Sequence, residues 1–311
     1  SMSDLAAGTV DTEDWAMTPE DRANSGAVVL EPAGPQQRPN GETYVPRSIG
    51  MYEDVAWMRF CRSRGQHVLF SGPPGTGKSA LSDAAFPDGF ETLICTADTT
   101  ESDIVGGYIQ DPNNPMTFQW AHGPFLRSLE RGVPLIIEEI ALADPRVLSV
   151  VYPAMDGRSW VEVPANPALG KIQVPKGWNV VASFNPDVPG ANMSEALLDR
   201  FDHNVEVTTD WELAAYLGVD EDIIRVSTEL DRRRRAGEIG WSPQLRSLLS
   251  YQDAKKTFGE QYALSNMIAK APLLYRQVVA EALEAVFKGK AIRMSNDIGE
   301  PCSLSLGRRF R

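Results

Sequence analysis

Cysteine and histidine are scarce in this chain, three of each in 311 residues. Cys61, Cys95 and Cys302 lie far apart with no paired spacing. That pattern argues against a disulfide framework and a thiolate zinc site, and it fits a reducing compartment. His67, His122 and His203 fall in no metal-ligand motif, so structural imidazoles are expected. Long apolar runs are missing too: Val133-Pro134-Leu135-Ile136-Ile137 ends at once on two glutamates, far short of the roughly 20 residues a membrane-spanning helix needs. Basic charge is in deficit, with 30 Lys and Arg against 42 Asp and Glu and a net charge of -12. Proteins that grip nucleic acid through its phosphates have the opposite balance. Asp4, Asp11, Glu13 and Asp14 stand where a secretory leader would need basic and then apolar residues. Ser1 ahead of Met2 reads as a cloning remnant and is set aside. A cytoplasmic protein without a membrane association is the expectation.

The composition, 42% hydrophobic and 23% charged, is that of a globular protein. Residues 1–45 are rich in Gly, Pro and acids without an apolar period, and are expected to form a flexible N-terminal arm. A helix is predicted over Met51 to Arg64, ended by Gly65. Short apolar strands are predicted at His67 to Ser71, Glu91 to Cys95, Val133 to Glu138, Asn179 to Phe184 and His203 to Thr208, with helices between them, one of them from Gly77 to Ala85. Such alternation implies a parallel sheet covered by helices on both faces. This α/β core is assigned to residues 46–209. Residues 210–290 change to apolar positions three and four apart, Val279, Leu283 and Val286 among them, and are predicted to form an all-helical lid. Residues 291–311 are read as a C-terminal tail ending in Arg308-Arg309-Phe310-Arg311.

Between the first predicted strand and the next helix stands Gly72-Pro73-Pro74-Gly75-Thr76-Gly77-Lys78-Ser79, a full match to G-x-x-x-x-G-K-[ST], followed by Ala80. Glycines in such a loop let successive backbone N–H groups turn toward phosphate oxygens. The helix N-terminus adds partial positive charge. Lys78 is placed to reach the β- and γ-phosphates, and Ser79 to hold Mg²⁺. Glu138-Glu139, at the end of a buried strand, put two carboxylates at the sheet edge beside this loop. Glu138 would hold the magnesium through water, and Glu139 would orient or deprotonate the attacking water.

Asn185, at the end of the fourth strand, is a candidate to hydrogen-bond the γ-phosphate or that water, although Asn-Pro also opens turns. Arg200 in Leu197-Leu198-Asp199-Arg200-Phe201 is a candidate to act on the site of a neighbouring subunit. The plainer alternative is a salt bridge with Asp199 or Asp202. Arg232 to Arg235 read as a solvated helix face with acidic partners nearby.

These segments in this order resemble the AAA+ superfamily, and within it the MoxR-like, helix-2-insert group that includes the cobaltochelatase ATPase subunit and midasin. The resemblance covers roughly Tyr44 to Leu249. Thr96 to Gly106 and Met116 to Phe125 are also similar to segments of that group, the second to its inserted hairpin. The resemblance implies a P-loop AAA+ core with a five-stranded parallel sheet of order 5-1-4-3-2 and a C-terminal helical lid. It implies ATP and Mg²⁺ as cofactors, nucleotide at subunit interfaces and a homo-oligomeric, hexameric ring. The hairpin would face the pore, with Phe118 and Trp120 either gripping a client or packing across the hairpin. Two departures stand out. Glu138 replaces the usual Asp. Gln244 stands where the group carries a lid arginine, and Arg246 follows two residues later, about 200° around a helix.

Three functions compete. The first, given most weight, is ATP hydrolysis that remodels a protein client, with a von Willebrand factor A domain partner common in the resembling group. The second is a nucleic-acid translocase, against which stands a predicted hairpin without Lys or Arg between Ile109 and Gly123. The third is a slow nucleotide-gated scaffold.

Overall fold

Strands such as Val68–Ser71, Leu135–Glu138 and Val180–Phe184, each opening on three successive buried apolar residues, can only be satisfied if both faces are covered. The computed structural model, which describes residues 19–191, 193–289, 292–293 and 296–299, meets that demand. Cys302, the terminal arginines and most of the predicted tail lie outside the described residues. The described chain divides into two compact units, one within Ser1–Gly72 and Lys78–Val207, the other within Pro73–Gly77 and Thr208–Arg311.

The first unit is built on β1 (Val68–Ser71), β2 (Glu91–Ile94), β5 (Leu135–Glu138), β6 (Val180–Phe184) and β7 (His203–Glu206). They form one sheet in the order β7-β1-β6-β5-β2, with every neighbouring pair parallel. Numbered by appearance, that is the expected 5-1-4-3-2. Alternation along each strand sorts the core. Leu69, Leu135, Ile137, Val180 and Ala182 pack with Phe125, Leu126 and Leu148. Val68, Phe70, Ile136 and Val181 pack in a second cluster with Val55, Met58, Leu81 and Phe86. The helices concerned are α1 (Asp54–Ser63) and α2 (Lys78–Ala85), which supply the second cluster, and α4 (Pro124–Arg131), which supplies the first.

The sequence expectations need two adjustments. The helix expected from Met51 starts at Asp54, because Ser48–Ile49 and Tyr52–Glu53 pair antiparallel first. The stretch expected to be a flexible arm is ordered over its second half. Gln36–Gln37 pairs with Thr43–Tyr44. The Glu53 carboxylate accepts from the N–H groups of Ala33 and Gly34, both at 2.9 Å. Arg38 pairs with Asp83 at 3.0 Å, and the Tyr44 hydroxyl donates to Asp54. Glu53 and the polar side chains of α1 and α2 tie this segment down together with Ala33 and Tyr44, which pack against the second cluster, and two isolated apolar residues make no period that the sequence could show.

After α3 (Glu101–Val105) the chain forms the hairpin β3 (Gly106–Asp111) and β4 (Asn114–His122). Gly106, at φ +108°, closes its base: a Cβ there would stand 2.0 Å from the Ala121 carbonyl oxygen. Trp120 opposes Tyr108 in the register. Their rings meet edge to face at 5.3 Å, and the indole N–H donates to His122 Nδ1 at 2.9 Å. Trp120 is thus engaged in cross-strand packing, whereas Phe118 is 69% exposed.

The second unit is helical: α7 (Trp211–Tyr216), α8 (Glu221–Arg235), α9 (Leu245–Phe258), α10 (Glu260–Lys270) and α11 (Arg276–Val286). Its core joins Ile223, Val226, Leu230, Leu248, Leu264, Val279 and Leu283, among others. The four arginines are spent locally: Arg232 on Glu229, Arg233 on Glu238, and Arg234 and Arg235 both on Asp231. No helix among the described residues is long and apolar enough to cross a membrane.

Candidate functional site

The parallel register brings the chemistry to one edge. Ser71 is level with Phe184, and Ile94 with Glu138, so Gly72, Glu138, Glu139 and Asn185 all emerge where the strands end. This is the edge at which open parallel sheets bind ligands. Gly72 sits at φ +151°, and a Cβ there would stand 2.2 Å from the Val207 carbonyl oxygen, so the loop leaves the sheet through a position only glycine can fill. Lys78 opens α2, and its ammonium donates to the Gly72 carbonyl at 2.9 Å. The Ser79 hydroxyl donates to Glu138 Oε1 at 3.0 Å. Lys78, Ser79, Glu138 and Ser183 line one small pocket. Ser79 and Glu138 are hard oxygen donors, the kind a magnesium ion takes, so the residues present fit that ion.

Glu139 stands out on its backbone. It lies at φ 54°, ψ 39°, in the left-handed region, and is the one non-glycine residue with positive φ among those described. For a residue with a Cβ this costs about 1–2 kcal/mol. Glu139 follows β5 directly and leads into a single 3₁₀ turn, Ile140–Leu142. Its carboxylate lies close enough to Cys95 to act on it electrostatically: burial, and then Glu139, push that thiol up to about 12. Sequence reading had no signal for this conformation.

Asn185 is engaged within its own turn, where its side-chain oxygen accepts from the Asp187 N–H at 3.1 Å. Arg200, just past α6 (Glu195–Leu198), pairs with neither Asp199 nor Asp202. Its partner is Asp156, with Nε 3.1 Å from Oδ1 and Nη2 donating to Oδ2 at 3.2 Å. Tyr152 and Asp156 went unnoticed in the sequence because their four-residue spacing matters only once the short helix α5 (Tyr152–Met155) is known.

In the second unit the departure at Gln244 has a physical account. Gln244 is 5% exposed and caps the start of α9 rather than lying inside it. Its amide oxygen accepts from Thr209 at 2.7 Å and its amide nitrogen donates to Asp231 at 3.0 Å. An arginine would not fit that set of partners. Arg246 occupies the second position of α9, is exposed, and its backbone N–H donates to the carbonyl of Gly75 at 3.0 Å. Gly75, at φ +77°, belongs to the loop segment Pro73–Gly77 grouped with this unit, and a Cβ on it would stand 2.9 Å from Arg246 Cβ. Thr76 is fully buried, its hydroxyl donating to the Pro73 carbonyl at 3.0 Å.

Residues 67–201, which hold four of the five strands of the sheet, the hairpin and all the acidic and polar candidates, match the family model of the AAA domain, dynein-related subfamily. This supports an AAA-type ATPase core with nucleotide binding. Among individual relatives, the chain is similar to the uncharacterized protein YojN of Bacillus subtilis, with 29% identity over 44% of this chain and 46% of that protein. It is also similar to the uncharacterized protein SH1500 of Staphylococcus haemolyticus, with 24% identity over 66% of this chain and 73% of that one. The chain thus spans less than half the length of the Bacillus relative. A solved structure from Cytophaga hutchinsonii aligns with a TM-score of 0.42 and 18% identity over 73% of this chain and 66% of that chain.

Proposed function

We propose that this chain hydrolyses ATP within a homo-oligomeric ring, hexameric in the MoxR-like manner, and uses the cycle to remodel or assemble a partner protein in the cytoplasm. The observation that carries the hydrolytic part is the Ser79–Glu138 hydrogen bond of 3.0 Å directly beside Lys78. Two residues 59 positions apart converge where a metal-bound triphosphate would need them. Gly72 to Ala80 would cradle the phosphates through backbone N–H groups and the start of α2. Mg²⁺, held by Ser79 and through water by Glu138, would supply charge neutralisation between the phosphates. Lys78 would leave the Gly72 carbonyl for the β- and γ-oxygens. Glu139 would take the proton of the attacking water, and its left-handed backbone is the kind of strain that collects at functional positions. Asn185 would orient that water once freed from its turn. Arg200 would act on the neighbour's nucleotide, and Arg246 would contribute from α9.

The partner is read as a protein, with a von Willebrand factor A domain as the kind of companion the resembling group uses. The described hairpin exposes Met116 and Phe118 and offers no basic side chain to a nucleic acid.

The test is ATP turnover with Mg²⁺ by the purified protein and its Glu139→Gln form, with particle images taken with and without ATP. The variant should bind ATP and lose about 10²-fold or more in kcat, the usual scale for a general base. Equal turnover by the two proteins would defeat the hydrolytic reading. Monomers under saturating ATP would defeat the ring.

A further inference from the structure

Within the first unit the guanidinium of Arg200 is held by three groups of its own chain. Nη1 donates to the Ala196 carbonyl at 2.7 Å, and Nη2 to Asp156 Oδ2 at 3.2 Å. Nε stands 3.1 Å from Asp156 Oδ1, which adds an ion-pair contact without a hydrogen bond, so Nη2 alone donates to the carboxylate. The planar group also lies over the Tyr152 ring at 4.0 Å from its centroid, within cation–π range. Tyr152 and Asp156 are four residues apart, at the start and the cap of α5, and so present ring and carboxylate side by side.

That short helix is itself anchored to the sheet. His67 is buried and accepts the Val180 N–H on Nδ1 at 3.0 Å. Its Nε2 therefore carries the proton and donates to the Met155 carbonyl, 2.9 Å away. Asp156 follows Met155 directly, so its position is set from β1 and β6, the strands that carry the phosphate loop and Asn185. The cleft beside this assembly, about 610 Å³, is lined by His67, Asp156, Asp199, Arg200 and Asp202 among others, and opens to the surface. The Arg200 side chain is 24% exposed and that of Asp156 48% exposed.

We infer that Asp156 and Tyr152 are positioning residues that hold Arg200 in a withdrawn orientation, so that a neighbouring subunit's nucleotide must compete with them for the guanidinium. This rests on the reading of Arg200 as acting in trans. Reaching a γ-phosphoryl group would take Nη2 away from Asp156 and the guanidinium plane away from the Tyr152 ring, so the two placements compete. A half-exposed ion pair of this kind is a weak latch. It biases the arginine by about threefold to fivefold rather than locking it.

The test measures ATP turnover against protein concentration and against ATP for wild type, Asp156→Asn, Asp156→Glu, Arg200→Ala and the Asp156→Asn/Arg200→Ala pair. Asp156→Asn keeps the size of the side chain and removes the charge. It should raise kcat about threefold to fivefold with KM little changed, and the gain should vanish in the double variant. Asp156→Glu, which keeps the carboxylate, should return kcat toward wild type. Should Asp156→Asn fail to fold, as judged by circular dichroism, Tyr152→Leu removes the ring face alone and should raise kcat in the same direction by a smaller factor. An Asp156→Asn enzyme with unchanged or lower kcat, in a background where Arg200→Ala is strongly impaired, would overturn the latch and leave the trans arginine standing. An Arg200→Ala enzyme as active as wild type at every concentration would remove the trans arginine, and the latch with it.

Discussion

Asp231 offers the sharpest test of how the helical unit is held. Its side chain is 5% exposed and accepts four donors. Oδ1 takes Ser242 Oγ at 2.8 Å, Gln244 Nε2 at 3.0 Å and Arg234 Nε at 3.1 Å. Oδ2 takes Arg235 Nε at 2.9 Å. Burial works against its charge, but the hydrogen bonds from Gln244 and Ser242 and the two arginines outweigh it, holding the carboxyl below its ordinary value of 3.8. Asp231→Ala removes the acceptor of the buried Ser242 hydroxyl and the carboxylate paired with the mostly buried Arg234, while Gln244 and Arg234 keep only Ser242 Oγ, at 2.8 and 3.2 Å, of the acceptors in this network. Each stranded buried donor costs about 1–3 kcal/mol, and breaking a buried pair from one side costs about 3–5 kcal/mol in all. Because Asp231 lies in α8 and Gln244 stands at the first position before α9, the loss should register in α8 and α9 together. Hydrogen exchange resolved by segment is the assay. Amides of both helices that open with the unit should exchange about a hundredfold faster or more, while β1 and β5 keep their protection. Arg232→Ala, in the same arginine run but paired with an exposed Glu229, should leave exchange unchanged. If Asp231→Ala protected α8 and α9 as well as wild type does, the buried network would be ornament and the account of Gln244 would fail with it.

Two further outcomes follow from single positions. Gly106→Ala places a methyl 2.0 Å from the Ala121 carbonyl, so the hairpin base must open. A loss of about 1–3 kcal/mol and faster proteolysis between residues 106 and 123 are expected, and wild-type melting with wild-type proteolysis would contradict the close approach. Burial, opposed by weaker contributions from Met155, Asp202 and Asp156, holds the His67 imidazole below its ordinary 6.5. The unfolded chain therefore binds this proton first, and stability should fall as pH drops from about 6.5 toward the folded value. His67→Gln should flatten that slope in denaturant titrations, and an unaltered slope would refute it.

Much of the nucleotide edge was legible because it is written in runs. The glycine loop, the apolar strand ending in Glu138-Glu139 and the strand–helix alternation are local patterns, and local patterns survive without knowledge of the fold. The order of the sheet came from resemblance alone, since no periodicity says which strand lies beside which. What stayed hidden depends on long-range pairing between polar groups. Gln244 looked like a missing arginine until Asp231 and Thr209 were seen on either side of it, 13 and 35 residues away. Arg200 looked free for a neighbour, with Asp199 and Asp202 as the nearest rivals in sequence, yet its partner Asp156 lies 44 residues back. The stretch from Ala33 to Tyr44 escaped for the same reason, because carboxylates and arginines secure it along with only two packed residues, Ala33 and Tyr44. In each case hydrophobic patterning set the scaffold, and charged side chains meeting across that scaffold decided which of the candidate residues are at liberty to act. The arginine most readily assigned to catalysis is also engaged at home by Ala196, Asp156 and Tyr152, so its activity in a ring would be governed as much by Asp156 and Tyr152 as by the nucleotide it would serve.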